Sequence, residues 1–485
     1  MPIINLEDLK NAPEIVKAQQ NPPDKAPKLV GKVAEGRAQE YMGDTYYSIG
    51  QYPNAIECYI KHLEIAEKLG DKGEAGKAYS NLELAYFNIC QYQKAIECHI
   101  KYIENAKELG DKDGVGRGHS NLGNAYFNIG QYQRAIECHR KHIEIAKELG
   151  DKDGVGRANG NLGCAYHRIG QYKMAIECYR KLLEIAQKLE DKDEVGRAHA
   201  NLGNVYVIIG QYQEAIQCHR EDLEIQEELG NKSRVGIAHE NLGIAYNKIG
   251  QKQKAIKYHR KHLEIAEELG EKGGVGSAHG NLGNVYADIG QYERAIECYS
   301  KHLQIAEELG DKSGVGKAYA NLGNAYSNIG QYQKAIGYHR KDLEIAEELG
   351  EKGGVGKAHS NLGNAYFNIG QYQKAIECHR KDLKIAEELG GKPGVAAAYI
   401  NLGSAYSSIG QIGEAFVCFR ESLKIAEDLG DKGMVGKSHG NLGTVYYNIG
   451  LYQKAIECFR KYLEIAEELG DKDGVARAHV NLGNY

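Results

Sequence analysis

A block of 40 residues repeats through almost the whole chain, and this period constrains the fold more than any other feature. The dipeptide Asn-Leu begins at Asn81 and returns at every fortieth residue up to Asn481, with no insertion or deletion. A fixed period of this length is typical of stacked supersecondary units, none of which can bury its apolar face alone. The repeat therefore outweighs the expectation of about three separate domains that chain length alone would suggest.

Each block predicts two amphipathic helices. In residues 116–155, the apolar side chains of 122–129 recur at the spacing of one helical face. Gly130 is suited to end this helix in the left-handed conformation. A second, longer apolar stripe covers residues 135–149, and the carboxylate of Asp151 can cap the helix that follows. Two helices joined by such a short connection must lie antiparallel, so each block is a helical hairpin.

The predicted domain organisation has three parts. Five of the seven prolines lie in the first 27 residues, so residues 1–34 are expected to form a separate leader, with a short helix from Pro13 to Gln20. Eleven units follow in residues 36–475. Residues 476–485 begin a twelfth unit and contain only part of the apolar stripe of its first helix. Because a stable array needs a terminal unit with a polar outer face, we expect a fragment, a truncated gene model or an alternative end.

Composition excludes several classes of function. There are 61 basic and 66 acidic residues, and a net charge of −5 argues against general nucleic-acid binding. No apolar run is long enough to span a membrane, and the first residues lack the features of a secretory signal, so we expect a cytoplasmic protein. Nine of the 11 cysteines share one repeat position, too far apart for disulfide bonds, and are expected to be buried thiols.

The family resemblance depends on one motif. Leu122-Gly123-x-x-Tyr126 is followed by Ala135 and by His139, where other units have Tyr or Phe. This spacing resembles the tetratricopeptide repeat. The absence of Trp and of alternating strand patterns argues against propeller blades. The resemblance implies an all-α fold, a right-handed α-solenoid of tandem hairpins.

The longer, 40-residue form of the unit is similar to the repeats of the LGN/Pins family and to the arrays of the tetratricopeptide repeat protein 28 type. The similarity rests on the motifs Asn-Leu-Gly-Asn-Ala-Tyr and Glu-Ile-Ala-Glu-Glu-Leu-Gly-Asp, and it covers about residues 36–485. LGN/Pins proteins modulate G-protein signalling and orient the mitotic spindle. The GoLoco motifs that follow their repeats are not found in this sequence.

The resemblance implies that the first helix of each unit lines a peptide-binding groove. The candidate contacts are basic, amide and aromatic residues on the outward side of that helix. They are Lys77, Arg117, Asn121, Asn124, Phe127, Asn128, Arg157, Asn161, Arg197, Asn201, Asn204, Lys317, Asn321, Asn324, Asn328, Lys357, Asn361, Asn364, Phe367 and Asn368.

Charge is segregated along the repeat. The windows equivalent to residues 116–128 hold eleven basic and five acidic residues, net +6, whereas the rest of the chain is net −11. A groove of one sign attracts ligands of the other, so we expect an extended, acidic protein segment as the partner. Two alternatives stay open: the cations could pair with glutamates of the neighbouring second helix, and the recurring Asn amides could link successive units.

No catalytic constellation stands out from the repetition, so no enzyme activity and no cofactor are expected. His139-x-x-His142 and His259-x-x-His262 have a spacing that metal ligands can use, but the first histidine of each pair occupies an apolar stripe position, which favours core packing. The sequence thus favours a non-enzymatic scaffold. The alternatives are an LGN/Pins-like signalling or spindle-orientation adaptor, the sensor or scaffold part of a larger protein whose effector domain lies beyond Tyr485, and a purely structural spacer.

Overall fold

The computed structural model describes residues 26–483, and the side chains of residues 31–483. The helix expected at Pro13–Gln20 and most of the expected leader lie outside this part. Every regular element in the described residues is an α-helix, and there are 23 of them. The first begins at Ala26, inside the segment expected as a leader, and the division of the leader from the array stays a prediction.

The chain divides into two compact units between Asn241 and Leu242, and each unit is described by itself. The helices of the first unit are Ala26–Ser48, Tyr52–Leu69, Lys72–Asn88, Tyr92–Glu108, Lys112–Asn128, Tyr132–Leu149, Lys152–Arg168, Tyr172–Lys188, Lys192–Ile208 and Tyr212–Glu228. Helix Lys232–Lys248 contains the division. The helices of the second unit are Lys252–Leu269, Lys272–Asp288, Tyr292–Leu309, Lys312–Asn328, Tyr332–Glu348, Lys352–Asn368, Tyr372–Glu388, Lys392–Ser408, Ile412–Leu429, Lys432–Asn448, Tyr452–Glu468 and Lys472–Gly483.

The helices alternate between two types, A and B. Helix Ala26–Ser48 is the first A helix and Tyr52–Leu69 the first B helix, and each A–B pair forms a hairpin, numbered from 1 to 11 along the chain. Within each unit, an A helix packs on its own B helix, and that B helix packs on the next A helix. The prediction of an all-α solenoid of tandem hairpins is confirmed.

The turns follow the predicted chemistry. Gly130 and Gly150 have φ of 76° and 72°, the left-handed region that glycine occupies without steric cost. The Asp151 carboxylate accepts a hydrogen bond from the Gly154 N–H at 2.9 Å and so caps the next A helix. Two residues depart from the glycine rule among the described turns, because Cys90 and Glu190 adopt φ of 58° and 56°.

Apolar layers run through successive hairpins. In the second unit, one buried cluster joins Ile336, Leu362, Leu402 and Leu442 of four consecutive hairpins. The hairpins pack closely because helix A presents glycine to a ring on helix B: a Cβ on Gly123 would lie 2.5 Å from the His139 ring. Core packing of His139 is therefore confirmed. Stability of this kind comes from interfaces between neighbouring repeats. None of the described helices is long and apolar enough to cross a membrane.

Candidate functional site

The predicted site residues of the first unit converge on a cavity of about 480 Å³ formed by hairpins 3, 4 and 5. Helix A of each hairpin contributes one arginine and at least one asparagine, so the motif recurs along the array. These residues are Arg117, Asn121, Asn124, Arg157, Asn161, Arg197 and Asn201. The surface formed by these A-helix positions and their equivalents is called the A face below.

A second cavity, of about 420 Å³, continues the A face toward hairpin 2. Lys77, Arg117 and Asn121 line it together with Ser80 and Tyr102. The predicted cations of four successive A helices, from Lys77 to Arg197, therefore open onto adjoining polar cavities. Phe127, Asn128 and Asn204 do not line either of these two cavities.

In the first unit the cations are paired with carboxylates one turn earlier on their own helix. Arg117 Nη2 lies 3.3 Å from Asp113 Oδ2, and the same pairing joins Arg157 to Asp153 at 3.1 Å. Arg197 pairs with Glu194, and Lys77 with Glu74 at 2.7 Å. The partners are thus not the B-helix glutamates that the sequence had suggested as an alternative. These acids lie just before the windows that gave the net charge of +6 over the whole chain, so including them lowers the cationic excess of the A face in this unit.

The second unit lacks these acidic partners. Lys317 follows Ser313 and Gly314 by one turn, and Lys357 follows two glycines in the same places. Both lysines are exposed, and no carboxylate lies within ion-pair distance of either in the part of the chain that the structure describes. The A face of hairpins 8 and 9 therefore presents lysines that form no ion pair within their own helix.

Helix B supplies the floor of the A face, a contribution that the sequence reasoning missed. His142 and Leu182 line the larger cavity of the first unit. The equivalent residues of hairpins 8 and 9 are Asp342 and Asp382, both half-buried. Burial raises the pKa of the Asp342 carboxyl to about 6 and also raises the pKa of Asp382. The only available signal was that this B-helix position varies from unit to unit within a fixed scaffold.

Some of the recurring asparagines link successive A helices. Asn161 Nδ2 donates to Asn124 Oδ1 at 3.2 Å, and Asn321 Nδ2 approaches Asn284 Oδ1 at 3.5 Å. The alternative that these amides link successive units therefore holds for these two pairs of asparagines. Asn121 remains exposed on the A face.

The remaining predicted asparagines differ in how accessible their amides are. Asn324 and Asn364 are exposed, whereas Asn204 and Asn361 are half-buried. A third set, at the ends of A helices, donates to the backbone carbonyl one turn earlier on its own helix. This set is Asn128, Asn328 and Asn368, with distances of 2.8, 2.9 and 2.8 Å.

The two predicted aromatic contacts pack at hairpin turns. The Phe127 ring meets the Tyr132 ring edge to face at 5.3 Å between centroids, and Phe367 meets Tyr372 in the same way at 5.3 Å. The Arg168 guanidinium of the next hairpin also lies 5.9 Å from the Phe127 ring. Both rings are half-buried, so their packing explains them without a ligand.

Comparison with known families decides what kind of array this is. The family model described as tetratricopeptide repeat matches residues 35–108, 115–188, 194–268, 274–348, 354–428 and 435–485, most of the chain. The chain belongs to the tetratricopeptide repeat family. Each matched segment, except the last, spans about two of the hairpins described above, so the array is tetratricopeptide repeat from its first described hairpin onward. Among curated proteins, none matches the chain.

Several solved structures share the fold of the tetratricopeptide repeat array. One is a signal transduction ATPase with numerous domains (STAND) protein with a tetratricopeptide repeat sensor from Pyrococcus horikoshii, at 18% identity and TM-score 0.55. The match covers 72% of this chain and 54% of that one, so this chain spans about half the length of that protein. A Rap protein complexed with competence and sporulation factor has 17% identity and a TM-score of 0.50, and the match covers 73% of this chain and 99% of the Rap protein. BtubC (BKLC) from P. vanneervenii has 24% identity and a TM-score of 0.42, and the match covers 45% of this chain and 92% of BtubC. At these identities the likeness shows the fold alone.

Proposed function

We propose that this array is a non-enzymatic scaffold that holds an extended, acidic segment of a partner protein against the A face. The observation that carries the proposal is the row of one arginine and at least one asparagine on each of hairpins 3, 4 and 5, which opens onto a single cavity of about 480 Å³. An extended chain advances by roughly 3.3 Å per residue and offers a regular series of backbone groups. Asparagine amides suit those groups, and arginines suit carboxylates because a guanidinium can donate two parallel hydrogen bonds.

The existing ion pairs of the first unit do not block such a ligand. Arg117 and Asp113 keep 65% and 63% of their side-chain surface exposed. Exposed pairs of this kind contribute only about 0–1 kcal/mol, so a ligand carboxylate can share or replace the intrahelical partner at little cost. Lys317 and Lys357 in the second unit have no carboxylate partner to displace, which makes that part of the A face the stronger attractor for acidic groups.

The floor carboxylates add a pH dependence to this proposal. Because the pKa of Asp342 is raised to about 6, this side chain is charged at pH 7.5 and becomes neutral as the pH falls through 6. Its charge repels an acidic ligand bound near Lys317, so the proposed affinity rises between pH 7.5 and 5.5. Asp342→Ser, which copies Ser422 at the equivalent position, removes this part of the pH dependence.

Two more specific functions are compatible with the proposal. One is an LGN/Pins-like signalling or spindle-orientation adaptor in the cytoplasm, suggested by the 40-residue form of the repeat. The other is the sensor part of a larger protein, as in the STAND protein with a tetratricopeptide repeat sensor whose fold this array shares. Sequencing the transcript beyond the codon of Tyr485 separates them, because an LGN/Pins-like protein continues with GoLoco motifs and a sensor protein continues with an effector domain.

The test is affinity capture from source-cell lysate with the intact array and an A-face variant. This variant carries Arg117→Glu, Asn124→Ala, Lys357→Glu and Asn364→Ala. A matched control carries Arg134→Glu and Lys374→Glu, which give the same change in net charge at exposed helix B positions. Glu is tolerated there, since Glu214 and Glu414 occupy the equivalent places.

We expect an acidic partner that the intact array and the control retain and the A-face variant loses, with all three proteins melting alike. Equal retention by the A-face variant would remove the A face as the binding surface. If the partner is lost from both the A-face variant and the control, binding depends on the net charge of the array rather than on the A face.

A further inference from the structure

Hairpin 5 brings three side chains with metal-binding atoms together on the two helices of one hairpin. His199 lies on helix Lys192–Ile208, and Cys218 and Glu221 lie on helix Tyr212–Glu228. The ligand atoms of all three lie within 4.8 Å of one another. His199 Nδ1 is 2.8 Å from Glu221 Oε2. None of these residues lines the two A-face cavities.

The trio differs from its equivalents in the sign of one charge. The position of Glu221 holds Lys in nine of the eleven hairpins, and Glu recurs only at Glu421, where Tyr399 replaces the histidine. In hairpins that combine His and Cys with Lys, burial lowers the pKa of the imidazole, and the charge of the nearby lysine lowers it further. This holds for Lys141 beside His119, Lys301 beside His279, Lys381 beside His359 and Lys461 beside His439. Hairpin 5 thus replaces a cation with a carboxylate beside an otherwise recurring His–Cys pair.

The imidazole nitrogen that faces the trio lies beside a carboxylate oxygen, 2.8 Å away. His199 Nδ1 is buried and makes no hydrogen bond of acceptable geometry, although the Glu221 carboxylate is near. The His199 side chain is 12% exposed and that of Glu221 37%, so the cluster is sheltered yet reachable from solvent. Glu221 Oε1 accepts a hydrogen bond from Gln217 Nε2 at 2.8 Å, which leaves Oε2, beside the imidazole, to face an ion. A bound cation would take the lone pair of the imidazole nitrogen and pair with this carboxylate charge.

A second group of possible ligands, Glu40, His62 and Glu74, contains no thiol, and both carboxylate oxygens of Glu74 are already engaged. Glu74 Oε2 is 3.2 Å from His62 Nε2, and Glu74 Oε1 accepts a hydrogen bond from Lys77 Nζ at 2.7 Å. These hydrogen bonds lower the pKa of the Glu74 carboxyl to about 2. That group is an ordinary ion-pair network, which leaves the trio of hairpin 5 as the better candidate.

We propose that His199 Nδ1, Cys218 Sγ and a Glu221 carboxylate oxygen bind one divalent ion of the zinc class. Imidazole nitrogen, thiolate and carboxylate are the three donors that Zn²⁺ uses in proteins, and a water completes the tetrahedron. The Cys218 thiol releases its proton to solvent when its sulfur binds the ion. Spacing along the chain did not indicate this site, because its ligands are separated in sequence and lie on two helices.

A bound ion would join helix A to helix B of hairpin 5. Anything that binds only the folded state stabilises it by mass action, so the ion should raise the melting temperature of the array in a concentration-dependent way. The proposed site is independent of the acidic ligand, because its residues lie outside the cavities of the A face.

The test is a titration of the full chain with Co²⁺, whose thiolate complexes absorb in the near ultraviolet, followed by displacement with Zn²⁺. The variants that remove ligands are Glu221→Lys, His199→Asn and Cys218→Tyr. Each copies a residue that the chain carries at an equivalent position, namely Lys261, Asn159 and Tyr258, so folding is preserved. Glu421→Lys and Cys90→Ser serve as matched controls.

We expect one Co²⁺ per chain with a thiolate band in the wild type and both controls, and loss of the band in each ligand variant. Lys141→Glu should add a second ion, because it places a carboxylate beside His119 and Cys138. A wild type without the band, or ligand variants that keep it, would overturn the proposal. Loss of the band in Cys90→Ser would assign it to adventitious binding by that exposed thiol.

Discussion

At the scale of single residues, the unusual feature is a series of buried, neutral imidazoles. His139, His219, His259, His339 and His379 are at most 1% exposed and face a helix A glycine. Other hairpins carry an aromatic ring there, such as Tyr299 or Phe459. Burial lowers the pKa of each of these five histidines to about 4. They therefore act as ring-shaped core residues at neutral pH.

These imidazoles make stability depend on pH. An unfolded histidine has a pKa near 6.5, so between pH 6.5 and 4 the unfolded state binds more protons than the folded state, and stability falls as the pH is lowered. The free energy of unfolding should therefore fall between pH 7.5 and 5. We expect the His379→Phe variant to lose about 2 kcal/mol less than the wild type over this range. Urea midpoints at the two pH values measure this, and Tyr299→Phe, at an equivalent position without an imidazole, should keep the full pH dependence. Parallel pH profiles for His379→Phe and wild type would contradict the account.

At the scale of helices and turns, two residues occupy a conformation that suits glycine. Cys90 and Glu190 adopt positive φ where the other described turns carry glycine. The left-handed conformation costs a residue with a Cβ roughly 1–2 kcal/mol. We therefore expect Cys90→Gly and Glu190→Gly each to stabilise the array by about 1 kcal/mol, partly offset by the greater freedom of glycine in the unfolded chain. Thermal melts test this. Gly130→Ala, the reverse change, should lower the melting temperature of the array. If none of the three substitutions changes the melting temperature, the backbone at Cys90 and Glu190 is not strained.

The elements were predictable from sequence because their causes are local. The helical spacing of 122–129, the left-handed Gly130 and the cap at Asp151 each depend on residues within a few positions, and all three were confirmed. The ion pair of Arg117 with Asp113 was missed because the charge was counted from residue 116 onward, and the pair depends on side-chain orientation. The roles of Phe127 and Phe367 at the turns depend on which ring each one meets, which spacing alone does not specify.

At the scale of the whole molecule, each unit repeats one surface with small variations. In the first unit the A-face cations carry their own counter-charges, whereas Lys317 and Lys357 of the second unit do not. The sequence predicted that Arg117, Asn121 and their equivalents share a face, because equivalent positions in a repeat are related by the same packing, and in the first unit these residues line one cavity. Phe127 and Asn128, predicted for the same face, do not line it, and the role of the face in binding stays a prediction. The sequence did not predict the difference between the units, since that difference arises from the first helical turn and from the helix B floor.

The central claim is that the A face binds an acidic segment, and the most direct measurement is the dissociation constant of a fluorescently labelled peptide rich in Asp and Glu. Its anisotropy would be followed with the intact array, with Lys317→Glu plus Lys357→Glu, and with the Arg134→Glu plus Lys374→Glu control. The account predicts weakening of about tenfold or more for the first variant, little change for the control, and weaker binding at higher salt. Equal affinity for all three proteins, or for a peptide of opposite charge, would contradict it.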